Sequence, residues 1–258
     1  MKKFILITLV LSLLYSNGSF NYGGKVNYYW LSRFKDQEVL NLPFRLFNFN
    51  FQYQKDNVDV NAHFALEFLL KDDTFYLENN NSQDFVLDMR EMYLTYYTNS
   101  GELKIGKQIH SWGSADENSP LDNISPIDYL YLFESGTDRK LGVYSLSYDG
   151  FVGDNFKYGF VISPLHNTHR LPKGYKDFPI QLPLPNAYRI MEVPKDEPEF
   201  GTYIQQSFDN VDLRLSYFMG YDRTFSFTGL NLFTSSASTY SGEIDTVYSY
   251  RKTQVLGF

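Results

Sequence analysis

The residues best suited to chemistry in this chain are its four histidines and the serines and carboxylates around them. His110 and Ser111 are adjacent, and a base beside a nucleophile is what a hydrolase would require. Neighbours on a strand point to opposite faces, so these two cannot form such a pair directly. His166 and His169 stand three apart and could share a metal. Their stretch, 164–199, is broken by proline and also carries Arg170, Lys173 and Lys176, so surface residues are the default there. The stretch 113–139 holds Asp116, Glu117, Asp122, Asp128 and Glu134, with Pro120 and Pro126. Its spacing fits no EF-hand template. A solvated loop is the plain reading, and folding back as a constriction is the more consequential one. No catalytic residue, metal ligand or cofactor is expected.

Composition narrows what could position such residues. The chain has 258 residues, no cysteine, 30 acidic against 23 basic side chains and a net charge of −7. Without cysteine there is no disulfide framework or thiolate metal site, and the acidic balance argues against a nucleic-acid partner. The 22 Tyr, 23 Phe and 2 Trp bring the aromatic share to 18%. Mean hydropathy is nevertheless negative. That is too polar for a helical membrane protein and too rich in rings for an ordinary water-soluble core. Alternating polar and aromatic residues would satisfy both facts.

The N-terminus indicates a compartment. Met1-Lys2-Lys3, the apolar run 4–15 and the small polar stretch Ser16-Asn17-Gly18-Ser19 follow the order of a secretory signal peptide. The run is shorter than the roughly 20 residues of a spanning helix. Residues 1–18 are therefore expected to be removed after Gly18 and the remainder, 19–258, to be exported. An uncleaved N-terminal helix is the alternative. Nothing later in the chain approaches a helical span. A chain that enters a membrane without one must do so as a closed barrel, because hydrocarbon tolerates no unpaired backbone.

Ten segments alternate. In 47–54 every odd position is a ring, Phe47, Phe49, Phe51 and Tyr53, and every even one an amide, Asn48, Asn50, Gln52 and Gln54. Period two places rings and amides on opposite faces of a strand. The pattern recurs over 58–68 and 211–221, and more weakly over 22–34, 85–97, 103–112, 140–148, 156–163, 200–208 and 247–258. Many of these match the 9 to 11 residues that a tilted strand needs to cross a bilayer. Compact turns rich in Asn, Asp and Gly alternate strictly with long connections. These features predict an all-β, antiparallel up-and-down transmembrane barrel of about ten strands, with short periplasmic turns and long extracellular loops. Tyr28, Trp30, Phe44, Tyr96, Tyr148, Tyr158 and Tyr217 would supply the interfacial rings. A secreted β-sandwich is the soluble alternative, and it would need its apolar face buried against a second sheet.

Arg90-Glu91-Met92-Tyr93-Leu94-Thr95-Tyr96-Tyr97, then Leu103-Lys104-Ile105-Gly106-Lys107-Gln108, Trp112-Gly113 and Asn123-Ile124-Ser125-Pro126-Ile127-Asp128, resemble a family of Gram-negative outer-membrane barrels. That family lies near the alginate-export and porin-like barrels. A looser match continues through 217–222 and 251–257. The resemblance implies location and architecture, with outer-membrane lipid and the barrel-assembly machinery as partners, and it assigns no substrate. Members resembling it run longer, which implies further strands after Gly257 and a chain incomplete at its C-terminus. Phe258 and Leu256 suit a terminal barrel strand, whereas Gln254 and Lys252 on the same face do not.

By parity the lumen would receive Gln52, Asn61, His63, Glu67, Glu91, Lys104, Gln108, His110, Lys157, Arg214 and Arg251. Lys107 falls on the outward set, and a bulge at Gly106 would be needed to turn it inward. Asp116, Glu117, Asp122 and Asp128 are the candidates for a constriction loop. A lumen of mixed sign suits passive or selective passage of small hydrophilic solutes. In a narrow barrel the same charges could instead pair as a buried filling, leaving a structural or adhesive barrel. An outer-membrane hydrolase is a third class, and conductance would separate it from a channel.

Overall fold

The computed structural model describes residues 18–29, 31–38, 43–69, 85–112, 119, 121–131, 133–171, 189–194, 197–234 and 242–258. The expected signal segment, apart from Gly18, lies outside them. The chain is all-β, and no α-helix occurs among the described residues. The strands are β1 (Ser19–Val26), β2 (Pro43–Lys55), β3 (Val58–Leu69), β4 (Phe85–Thr98), β5 (Gly101–Gln108), β6 (Val143–Val152) and β7 (Phe156–Ser163). They continue as β8 (Arg189–Glu192), β9 (Glu199–Ser207), β10 (Asp212–Tyr221), β11 (Ser226–Thr234), β12 (Gly242–Ser249) and β13 (Lys252–Gly257).

Ten of these form one antiparallel sheet in the order β1-β2-β3-β4-β5-β6-β7-β9-β10-β13. Each strand pairs with its predecessor and successor in the sheet, and β1 and β13 are the edges. Each expected segment contributes to one of its strands. The hairpins on one end are tight: Asp56-Asn57 joins β2 to β3, and Asp56 takes a φ of +50°, a region that Asp tolerates better than most residues.

The limits of five strands differ from the expected segments by more than one residue; β2 starts four residues early, at Pro43, and β5 ends four early, at Gln108. The first strand begins earlier and ends at Val26, because Arg33, Asp36 and Glu38 tie the following stretch into a polar turn. The strand expected from Lys140 starts at Val143, because Lys140 is drawn into a bridge with Ile127. The segment expected over 247–258 is split, with Val247 to Ser249 closing β12 and β13 beginning at Lys252. β12 belongs to a second, three-stranded sheet, β11-β12-β8, which the sequence pattern did not announce. It draws all its strands from the two long connections that follow β7 and β10.

The ten-stranded sheet has two chemically different faces. One cross-strand row runs Phe20, Tyr53, Val60, Leu94, Ile105, Leu146, Ile162, Phe200, Met219, Gln254, so nine of its ten positions are apolar. Phe20, Leu94, Ile105, Leu146 and Ile162 in that row are exposed. No second sheet covers this face among the described residues, unlike the sandwich alternative. The opposite row runs Ser19, Gln54, Asp59, Thr95, Lys104, Ser147, Val161, Gly201, Phe218, Val255. It is polar over β1 to β6 and apolar or small over the last four strands.

The connection between β5 and β6 packs on this second face. Trp112 and Ile124 join Val143, Val161 and Phe218 in a buried cluster. Gly201 makes the approach possible, because a Cβ there would stand 2.5 Å from Trp112 Cη2 and 2.7 Å from Ile124 Cδ1. The same connection reaches both sheet edges. Asp138 pairs with Lys25 of β1 at 3.5 Å, and Leu121 lies against Gly257 of β13. The sheet curls around this connection, because Asp128 meets Arg45 of β2 at 3.3 Å and bridges to Arg170, while the neighbouring His169 N–H bonds the Arg223 carbonyl just beyond β10. A flat ten-stranded sheet would hold its edges some 43 Å apart, at roughly 4.8 Å between neighbours.

Candidate functional site

The folded-back connections are fixed by buried charge. Asp128 is fully buried and lies between two guanidinium groups, 3.3 Å from Arg45 and 3.0 Å from Arg170. Arg170 also grips Glu67 of β3 through two hydrogen bonds of 3.0 and 2.9 Å. The Tyr131 ring sits beneath Arg45, with the guanidinium carbon 3.7 Å from its centre, and 5.5 Å from that of Arg170. Burial pushes the Asp128 carboxyl up, and Arg170 and then Arg45 oppose that rise. Burial works against the charge on Arg170, but the bonded Glu67 together with Asp128 and Tyr131 outweighs it and the pKa is raised. Two cations, two anions and a ring thus hold segments after β5 and β7 against the beginning of β2 and the end of β3.

A second buried pair supports the same end. Arg223 donates to Glu199, to the carbonyls of Asn123, Ile124 and Asn167, while His166 Nδ1 lies 2.9 Å from Glu199. Burial lowers the Arg223 pKa, with Glu199 opposing. His169 Nδ1 accepts the Ile127 N–H at 2.7 Å, and burial followed by the Arg223 charge lowers its pKa to about 4. The two histidines therefore brace loops separately, and no group of metal-ligating side chains gathers among the described residues. Asp122 accepts the Trp112 N–H at 2.6 Å and pairs with Lys140, which also donates to Ser111 at 3.0 Å. Of the proposed constriction residues, Asp122 and Asp128 thus lie in the folded-back segment, and Asp116 and Glu117 lie outside the described residues.

Below these networks, towards the short turns, the inner face holds two concavities. One of about 260 Å³ is lined by Gln52, Asn61, His63 and Glu91 among others. Another, of about 310 Å³, is lined by Glu91, Lys104, Gln108, His110, Lys157 and Arg214, with Asp149, Glu102 and several rings. Glu91 and Tyr93 belong to both. Nine of the parity-selected residues therefore converge on one continuous polar surface, while Glu67 sits in the ion network above it.

Two assignments are corrected. Lys107 is not turned inward by a bulge at Gly106. Its register runs unbroken from Met92 to Tyr144 on the outer face, although Gly106 has a φ of +138° that favours glycine. The register break falls on the facing strand, where Arg90 is the extra residue between Met89 and Glu91. The Lys107 amine instead reaches the Met89 carbonyl and comes within 3.8 Å of Asp88. Arg251 is not on the inner face of a strand. It stands in the link from β12 to β13, its side chain 72% exposed and 3.5 Å from Asp222. The ring set is adjusted too: Phe44 is buried against Tyr28, Tyr29 and Phe68, and Trp30 lies outside the described residues.

Sequence reasoning missed Arg45, Tyr131, Asp149 and Tyr203. Asp149 and Tyr203 carry a signal, since they continue the inward sets of Ser145 and Ser147 and of Gly201; Arg45 lies beyond a register break at Leu46 that hides its face. His110 also finds a serine that sequence proximity did not offer, Ser145, at 2.9 Å. Ser145 is 5% exposed, and the contact ties His110, just beyond β5, to β6. Comparison with known protein families, curated proteins and solved structures finds no match for this chain.

Proposed function

We propose that the chain forms the wall of an outer-membrane β-barrel whose polar interior passes small hydrophilic solutes, after export on a signal peptide. The observation that carries this reading is the row that is apolar on nine of the sheet's ten strands and exposed over much of its length on one face, with the polar concavities on the other. In water such a face is a liability, and in lipid it is what a spanning strand needs. The loop asymmetry supports the same orientation, with tight turns at one end and long connections at the other. A membrane form must also satisfy the free edges of β1 and β13, because lipid offers no hydrogen bonds. Outer-membrane lipid and the barrel-assembly machinery are then the expected partners.

Buried networks at the long-loop end favour a second reading, a plugged barrel with a structural or adhesive role. Single-channel recording of the full-length protein in planar bilayers decides between them. Steady conductance steps support the channel, and silent bilayers containing correctly inserted protein reject it. In a conducting protein Arg214→Glu should shift ion preference towards cations, and an unchanged reversal potential would remove Arg214 from the permeation path.

A further inference from the structure

Building on the channel reading, we propose that the 310 Å³ concavity is a binding site for a neutral, hydroxyl-rich solute of about the size of a single sugar ring. Its volume is at the lower end of small-ligand sites. Its charge is balanced, since Glu91, Glu102 and Asp149 oppose Lys104, Lys157 and Arg214. The charged heads are also largely committed to protein partners. Lys104 bonds Glu102 at 2.6 Å, Asp149 accepts the Tyr203 hydroxyl at 2.6 Å, and Glu91 accepts the Ile109 N–H at 2.9 Å. Arg214 donates to Gln205 and to the Trp112 carbonyl.

Five of the six charged heads are already engaged, and the sixth, Lys157, is an exposed ammonium 5.7 Å from the centre of the Phe151 ring, so an ionic ligand would have to displace one of these partners or settle for a charge that water already solvates. The surface does offer spare carboxylate lone pairs and ammonium or guanidinium N–H groups. A hydroxyl both donates and accepts, so an array of hydroxyls can use both kinds without disturbing the pairs. Rings supply the apolar complement. The Tyr203 ring is fixed between the Arg214 guanidinium at 4.7 Å and the Trp112 ring at 5.3 Å, while Phe151 keeps 45% of its surface exposed at the wall. Preorganised polar groups beside exposed ring surface match the alternating C–H and O–H faces of a pyranose.

The test uses the full-length protein in detergent micelles with three probes that share one ring: glucose, glucuronate and glucosamine. Calorimetric titration should give glucose affinity at least about tenfold above both charged analogues, and Tyr203→Phe and Asp149→Asn should each weaken it by about tenfold. Equal or tighter binding of either charged sugar overturns the proposal. So does absence of glucose binding, or glucose binding that neither variant weakens. Salt conductance is recorded in parallel on the same preparation. Conductance without glucose binding defeats this inference and leaves the channel; glucose binding without conductance defeats the channel and leaves the site.

Discussion

Arg170 and Glu67 lie 103 residues apart and meet through two parallel hydrogen bonds of 3.0 and 2.9 Å. Fork-to-carboxylate geometry of this kind is directional as well as strong. It joins the segment after β7 to the end of β3 across the inner face. Removing one partner leaves the other cation or anion short of its bonds, so Glu67→Gln should destabilise the fold by about 3 kcal/mol. Arg170→Lys should recover little, since a single ammonium cannot serve both oxygens. Urea unfolding of the refolded protein, followed by tryptophan fluorescence, measures both.

Lipid exposure predicts an unusual response on the outer face. Ile105 is 56% exposed, in the middle of the apolar row. On a soluble sheet Ile105→Arg would change stability by about 0.5 kcal/mol or less. On a membrane wall it should cost about 2–4 kcal/mol near the bilayer midplane. Folding into lipid vesicles against denaturant gives the value, and a neutral result removes the membrane assignment for this face.

Gly201→Leu should loosen the inner loop selectively. The added side chain would occupy the space of Trp112 and Ile124. Overpacking of this kind costs roughly 1–3 kcal/mol. A red shift of tryptophan emission and faster proteolysis within 109–142 are the expected signs. An unchanged spectrum and digestion pattern would mean that the loop does not rest on β9.

Acid should release the same loops. His169 serves as a neutral acceptor for Ile127, and its pKa of about 4 in the fold lies below the ordinary value of 6.5. Between those values the unfolded chain binds the proton more readily, so this contribution is fully present above pH 6.5 and is lost as pH falls towards 4. Asp128, with its pKa raised, acts in the opposite sense and gains on protonation. The His169 part is therefore isolated by His169→Gln, which keeps an acceptor but does not titrate. Hydrogen exchange at Ile127 should quicken from pH 7 to pH 4.5, after correction for intrinsic rates, and the variant should flatten that rise.

The sequence by itself determined the ten strands of the large sheet and most of their faces. Period-two alternation is a local property of the pleat, so Phe49, Phe51 and Asn61 could be placed by counting along their own segment, and Asp56-Asn57 could be named as a turn from residue type alone. The same counting brought His63, Glu91, Lys104 and Arg214 to one surface. Only the tertiary structure decided what fills the space above that surface. Asp128 meets Arg45 across 83 residues and Tyr203 meets Asp149 across 54. Such pairings depend on how the sheet curls and where the long connections return. Register breaks are equally invisible to a parity count, because one extra residue reverses every face beyond it: the break stands at Arg90, and Lys107 stays with the outer set. Local geometry repeats every two residues and can be read in order, whereas long-range charge pairing is settled by the whole fold at once.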